Sequence, residues 1–168
     1  MIAEAIVPEF DHEMATTRKH IERVPEDKKD WLPHEKSMPM GRLAVHLAEL
    51  PGWGLMTMKE TELDMSPPDG PAFTPALFTT TAAALALFDE NVKTARAALA
   101  AASDADYMVG WTLKAGGQVL FTLPRIAVVR TWVINHMIHH RGQLSVYLRL
   151  NGVPVPGTYG PSADEPGM

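Results

Sequence analysis

Four stretches of this chain repeat apolar residues at alternating spacings of three and four, and that pattern leaves little choice of architecture. In the first, Ala3, Val7, Phe10, Met14, Thr17, Ile21 and Val24 fall on one stripe. The second is shorter: Leu43, His46, Leu50 and Trp53. The third runs Phe78, Thr81, Leu85, Phe88, Val92, Ala95 and Leu99, and the fourth Ile126, Val129, Val133, His136, His140, Gln143, Tyr147 and Leu150. A helix with one such stripe must bury it, and four of them predict an all-α, antiparallel four-helix bundle.

Breaker residues fall between the stripes. Pro25 follows the first, and the polar segment from Glu26 to Met38 separates it from the second. Ser37, two residues before Pro39, is the expected cap of the second helix, and Pro51 is expected to kink or break that helix. Pro67, Pro68, Gly70, Pro71 and Pro75 mark a connection, with Thr74 and Pro75 reading as the cap and first residue of the third helix. Met108–Leu113 and Gln118–Leu123 flank Gly116-Gly117 and predict a short β-hairpin before the last helix. Pro124 opens that helix and Asn151-Gly152 closes it. With no repeat and no linker, residues 1–168 read as a single domain, with a proline-rich, non-helical tail over 153–168.

Composition removes several classes of function. The 168 residues are 46% apolar and 21% charged, which excludes a disordered chain. Fifteen Lys and Arg against 20 Asp and Glu give a net charge of −5, so no nucleic-acid partner is expected. The chain has no cysteine, which rules out disulfides, thiolate metal sites and a cysteine nucleophile. The apolar run Ala82–Phe88 is too short to span a bilayer, and the first residues lack the basic start and apolar stretch of a signal peptide. These features predict a cytoplasmic protein with no membrane partner. No phosphate-cradling glycine loop, GxSxG elbow or HExxH helix is present.

What remains is histidine. His136 and His140 are four apart, so their rings leave one helix face a turn apart, and His46 interrupts the second stripe in the same way. A lone core histidine is ordinarily a packed, hydrogen-bonded side chain, and a surface HxxxH pair is common. Three imidazoles facing one core are harder to satisfy, because each buried unpaired polar group costs about 1–3 kcal/mol. One metal ion takes all three lone pairs and leaves at least one coordination position open. His139 lies beside the seam. Gln143 lies on it, three residues after His140, placed to meet a ligand, a metal-bound water or a backbone carbonyl. His12, His20 and His34 sit among charged residues and are expected to be exposed, and Glu13 is the acidic residue nearest the first stripe.

The stretch Asn135–Leu144 (NHMIHHRGQL) resembles the HxxxHxGQ signature of the DinB family, and Ser37–Leu50 (SMPMGRLAVHLAEL) resembles that family's second-helix motif. Val24-Pro25, Lys36-Ser37 and Tyr159–Glu165 are similar to further DinB segments. The resemblance implies a four-helix bundle, a homodimer, and a divalent metal, zinc or nickel foremost, on His46, His136 and His140. Relatives such as bacillithiol and mycothiol S-transferases imply a metal-dependent enzyme that binds and ionises a low-molecular-weight thiol, with Gln143 and His139 as orienting residues. A metal-activated water for hydrolysis is the variant within that class. A non-catalytic, metal-stabilised stress protein is the rival from another.

Overall fold

The computed structural model describes residues 1–165. Helix α1 (Ile2–Glu22) is followed by a single 3-10 turn, α2 (Met40–Lys59), strand β1 (Glu62–Asp64) and α3 (Thr81–Ala101). A short α4 (Asp104–Met108) leads into strands β2 (Gly110–Ala115) and β3 (Gln118–Pro124). The last helical rod begins as α5 (Arg125–Val128), widens into a π-helical stretch over Val129–Asn135, and continues as α6 (His136–Leu150).

The four-helix bundle is present, with α3 between α1 and α2 and the last rod closing the ring between α2 and α1. Cross-links give the directions. Asp11 meets Arg96 at 2.7 Å and Asp89 meets Arg18 at 2.8 Å, so α1 and α3 are antiparallel. Trp53 stacks on Trp132 while His46 faces His136, so α2 and the last rod are antiparallel too. The long connection over 60–80 returns the chain to the start of α2, so α3 runs parallel to α2, with Gly41 beside Phe78 and Gly54 beside Ala95. Phe10, Met14, Leu43, Leu47, Phe88, Val133, Met137 and Leu144 are among the buried residues of the common core.

The expected hairpin forms. Gly116 and Gly117 both take positive φ (60° and 78°), the pair of conformations a two-residue hairpin turn needs. β1 adds in parallel to β2, and Asp64 at its end accepts from the N–H groups of Gly116 (3.0 Å) and Gly117 (2.7 Å). Asn151-Gly152 closes α6 as expected: Gly152 has φ 69°, and the Val153 N–H returns to the Leu148 carbonyl at 3.0 Å.

Several local expectations are corrected. Helix α3 begins at Thr81, not at Pro75. Residues 71–80 stay non-helical, with the Glu49 carboxylate holding the Ala76 N–H at 2.6 Å and Phe78 docked beside Gly41. The cap is Thr80, whose hydroxyl accepts from the Ala83 N–H at 3.0 Å. Thr80→Ala is expected to cost about 1 kcal/mol in urea unfolding, and an unchanged midpoint would remove the cap from the account. Ser37 does not cap α2: Pro39 occupies that position, and the first free N–H groups, of Met40 and Gly41, bond the carbonyls of Trp31 and Lys29 at 2.8 Å each. Nor does Pro51 break α2, which runs unbroken through it. Pro51 leaves the Leu47 carbonyl without its usual donor; the neighbouring Ala48 carbonyl accepts from the Asn91 amide of α3 at 2.9 Å, which ties this turn to α3. Leu150, expected on the fourth stripe, is 61% exposed.

His20 is the one correction to exposure among these three: it is fully buried, whereas His12 and His34 are exposed as expected. The charged neighbours Lys19, Glu22 and Arg23 turn outward, and His20 packs on the inner face of α1 with Thr16, Thr17 and Ile21. Its Nδ1–H donates to the Thr16 carbonyl at 2.9 Å. Burial lowers its pKa, the charges of Arg141 and Arg23 add to that, and the Thr16 bond and Glu165 oppose it. The unfolded chain therefore takes up this proton below about pH 6.5 while the folded chain still resists, so stability falls as pH drops through that window. His20→Phe is expected to flatten the fall in urea midpoint between neutral and mildly acidic pH, and a slope equal to that of the parent would refute this.

Residues 153–165 are non-helical, and residues 166–168 of the expected tail lie outside the described residues. The tail folds back over α1 and α6. Glu165 pairs with Arg23 at 2.7 Å and Asp164 with Arg149 at 2.5 Å. The Tyr159 hydroxyl reaches a buried ion pair between Glu13 and Arg141, whose closest N···O distance is 2.6 Å.

Candidate metal centre

On α2, Arg42, His46, Glu49 and Trp53 recur at spacings of four, three and four, so they share one face, and all four are half-buried. The antiparallel last rod presents Trp132, His136 and His140 to that face. The π-helical stretch ends immediately before His136. Its extra residue is expected at functional sites, where it re-aims the side chains that follow.

The structure brings His46, His136 and His140 together. The Nε2 of His136 lies 3.3 Å from that of His46 and 2.9 Å from that of His140, and the ligand atoms of all three lie within 4.8 Å of one another. Tetrahedral coordination with metal–nitrogen bonds of zinc length needs nitrogens roughly 3.3 Å apart, so the donor set fits a single ion. Among the described residues no carboxylate joins this cluster. Three protein donors would leave at least one coordination position of such an ion unfilled by these histidines.

Electrostatics favour the form a metal needs. Burial pushes the His46 pKa down to about 3, and the rings of His140 and His136 and the charge of Arg42 add to the effect. Burial also lowers the pKa of His136 and of His140, each opposed by one hydrogen bond, to the Trp132 backbone and to Gln143 respectively. At neutral pH all three rings are uncharged, the state that binds metal without first losing a proton.

Gln143 and His139 stand in one chain behind His140. The His140 Nδ1–H donates to the Gln143 carbonyl oxygen at 2.7 Å, and the Gln143 amide donates to the His139 Nε2 at 3.1 Å. That bond fixes the His140 tautomer so that its Nε2 carries a lone pair toward the other two rings. Both side chains are otherwise exposed. Gln143→Leu is expected to weaken metal binding about 10–100-fold, read by competition with a chelator, and an unchanged affinity would remove Gln143 from the site. Glu13 is not at the cluster, because its carboxylate is taken by Arg141 and Tyr159.

The sequence reading missed Arg42 and the aromatic end of the groove. Trp53 and Trp132 stack at 6.2 Å with their planes 12° apart, Phe121 lies 5.3 Å from Trp132, and Trp132 turns an edge to His136 at 6.1 Å. The spacing rule that found the histidines reaches these residues as well. Arg42 is four before His46, Trp53 seven after it, and Trp132 four before His136.

A sequence profile described as the DinB superfamily matches residues 9–144, and one described as the DinB family matches residues 124–167. The chain belongs to the DinB superfamily. Two solved DinB-like proteins share its fold. One, from Bacillus cereus ATCC 10987, superposes with a TM-score of 0.69 at 20% identity, covering 93% of this chain and 97% of its own. The other, YjoA from Bacillus subtilis, gives 0.65 at 20% identity, covering 89% and 96%. An uncharacterized protein YrdA of Bacillus subtilis (strain 168) is 50% identical over 34 residues. That stretch spans only 20% of either chain. The two motifs that resembled DinB segments therefore sit in a DinB fold, with His46 on α2 and His136 and His140 on α6. None of the helices described is long and apolar enough to cross a membrane.

Proposed function

We propose that this DinB-superfamily chain binds one divalent ion, zinc or nickel, through the Nε2 atoms of His46, His136 and His140, and uses it to present a small-molecule thiol to an electrophile. The observation that carries the reading is the convergence of three neutral Nε2 donors on one point, with no fourth protein ligand beside them among the described residues. An ion bound there by neutral imidazoles keeps its full 2+ charge and lowers the pKa of a coordinated thiol. The chain's own residues hold and orient: Gln143 and His139 fix the His140 ring, and the groove walls position what enters. In the transfer, the thiolate forms a carbon–sulfur bond to the electrophile, and the leaving group departs with the electron pair of the bond that breaks. The absence of cysteine means that the sulfur must come from outside, and we place the protein in the cytoplasm, where small thiols are kept reduced.

The test incubates the zinc- or nickel-loaded protein with glutathione, bacillithiol or mycothiol and an electrophilic acceptor. Metal-dependent consumption of the thiol is expected, and no turnover, with a protein side chain closing the fourth position, favours a purely structural metal. The chain is further proposed to be a homodimer. Val146 and Leu150, one turn apart on the outside of α6, are 56% and 61% exposed and suit such a contact. Light scattering is expected to give twice the 18.4 kDa chain mass, and 18.4 kDa over a wide concentration range would contradict it.

A further inference from the structure

The groove that holds the histidines differs at its two ends. Because α2 and the last rod are antiparallel, Trp53 meets Trp132 at one end, and Arg42 lies beyond His46 at the other, on the side of His140 and Gln143. Along α2 the separations from His46 are about 6 Å to Arg42 and about 10 Å to Trp53.

Arg42 is held but not used up. One N–H of its Nη1 reaches the Glu49 carboxylate at 3.1 Å, and the second oxygen of Glu49 is engaged by the Ala76 N–H. A guanidinium has five N–H donors, so a planar edge stays available in a half-buried position. A cavity of about 330 Å³ reaches Arg42 from the side of Lys29 and Phe78, with Lys29 itself paired to Asp30. At the opposite end a cavity of about 320 Å³ is lined by Thr131, Trp132, Asn135, His136 and His139. Trp132, which lines this cavity, also stacks on Trp53, and Phe73 and Phe121 complete the aromatic set, so side chains from α2, the 60–80 connection, β3 and the last rod converge beside it.

We propose that the groove selects a small anion with a flat apolar end: its carboxylate on Arg42, its metal-binding donor at the three histidines, and its apolar group against Trp53 and Trp132. The inference rests on the metal reading above and names the class of ligand that reading leaves open. The charge arrangement agrees in part: a 2+ ion on neutral rings would supply the excess positive charge, while Arg42, balanced by Glu49, adds N–H donors rather than net charge. A neutral thiol of the same size and shape loses the contact with Arg42.

The test uses the full chain loaded with cobalt(II), whose visible absorption reports thiolate coordination. Three probes are titrated: a benzyl-substituted mercaptopropionate, its primary amide, and mercaptopropionate without the ring. The acid with the ring is expected to bind about tenfold more tightly than either of the others. In Arg42→Gln the acid and its amide are expected to bind alike, and in Trp132→Leu the preference for the ring is lost, with cobalt content measured alongside for each variant. Equal binding of acid and amide by the unsubstituted protein overturns the inference without any variant having to fold. Retention of the acid preference by Arg42→Gln overturns it as well. Failure to take up cobalt overturns the metal reading itself. Cobalt uptake with no thiolate band from any probe overturns the thiol reading and this inference together.

Discussion

His136→Ala is expected to cost the chain its metal, with a larger loss of affinity than the roughly 10–100-fold that removal of an outer partner such as Gln143 produces. His136 is the hub of the cluster, since its Nε2 lies within 3.3 Å of both other rings' Nε2 atoms. Without it, His46 and His140 offer two donors from two helices, too few for the three-ligand sites that zinc uses in enzymes. His46→Ala and His140→Ala are expected to behave alike, because each removes one of three equivalent donors. Elemental analysis of untagged protein against a chelator series checks all three. Full metal content in every variant would place the ion elsewhere.

Glu13→Ala is expected to destabilise the fold by about 3–5 kcal/mol. Arg141 is only 2% exposed, and its charge is balanced by Glu13 from α1. The same guanidinium donates to the Glu13 carbonyl at 3.2 Å, to the Thr17 hydroxyl at 3.3 Å and to the Tyr159 hydroxyl at 2.8 Å. Truncating Glu13 leaves a buried cation without its counter-charge, which costs far more than the pair itself contributes. Glu13→Gln, which keeps hydrogen-bonding capacity, is expected to fall between the two, and Glu13→Leu combined with Arg141→Met to recover much of the loss. Urea unfolding reads these differences directly. A loss under about 1 kcal/mol for Glu13→Ala would mean that water reaches Arg141.

The periodic parts of the structure were legible because burial enforces period. The stripe of α1 and the placing of His46, His136 and His140 on inner faces follow from spacings of three and four, and the hairpin follows from two adjacent glycines. What failed was local chemistry overruled by distant contacts. The Thr74-Pro75 pair is a sound helix start, but that segment stays non-helical until Thr80, with the Glu49 carboxylate on the Ala76 N–H and Phe78 docked beside Gly41. Pro51 should break a helix, yet it is buried between α2 and its neighbours, Asn91 of α3 grips the adjacent Ala48 carbonyl, and the helix continues. The charged neighbours of His20 suggested water, although its own position falls on the inner face. The π-helical stretch left no mark of its own, because one wide turn still yields apolar residues three and four apart. Arg42 was passed over because a charged residue on an amphipathic helix ordinarily reads as a solvated face, and only the partner helix shows that it borders the histidines.

Three Nε2 atoms and no other protein group are expected to hold one divalent ion, with a coordination position left for a small ligand. Diffraction from crystals of the metal-loaded protein, recorded at the absorption edge of the metal, tests it in one measurement. One anomalous peak per chain is expected, about 2.0–2.2 Å from the Nε2 of His46, His136 and His140, with a water or small ligand in the remaining position. No peak at this point, or a peak whose coordination is completed by protein side chains alone, would contradict the account.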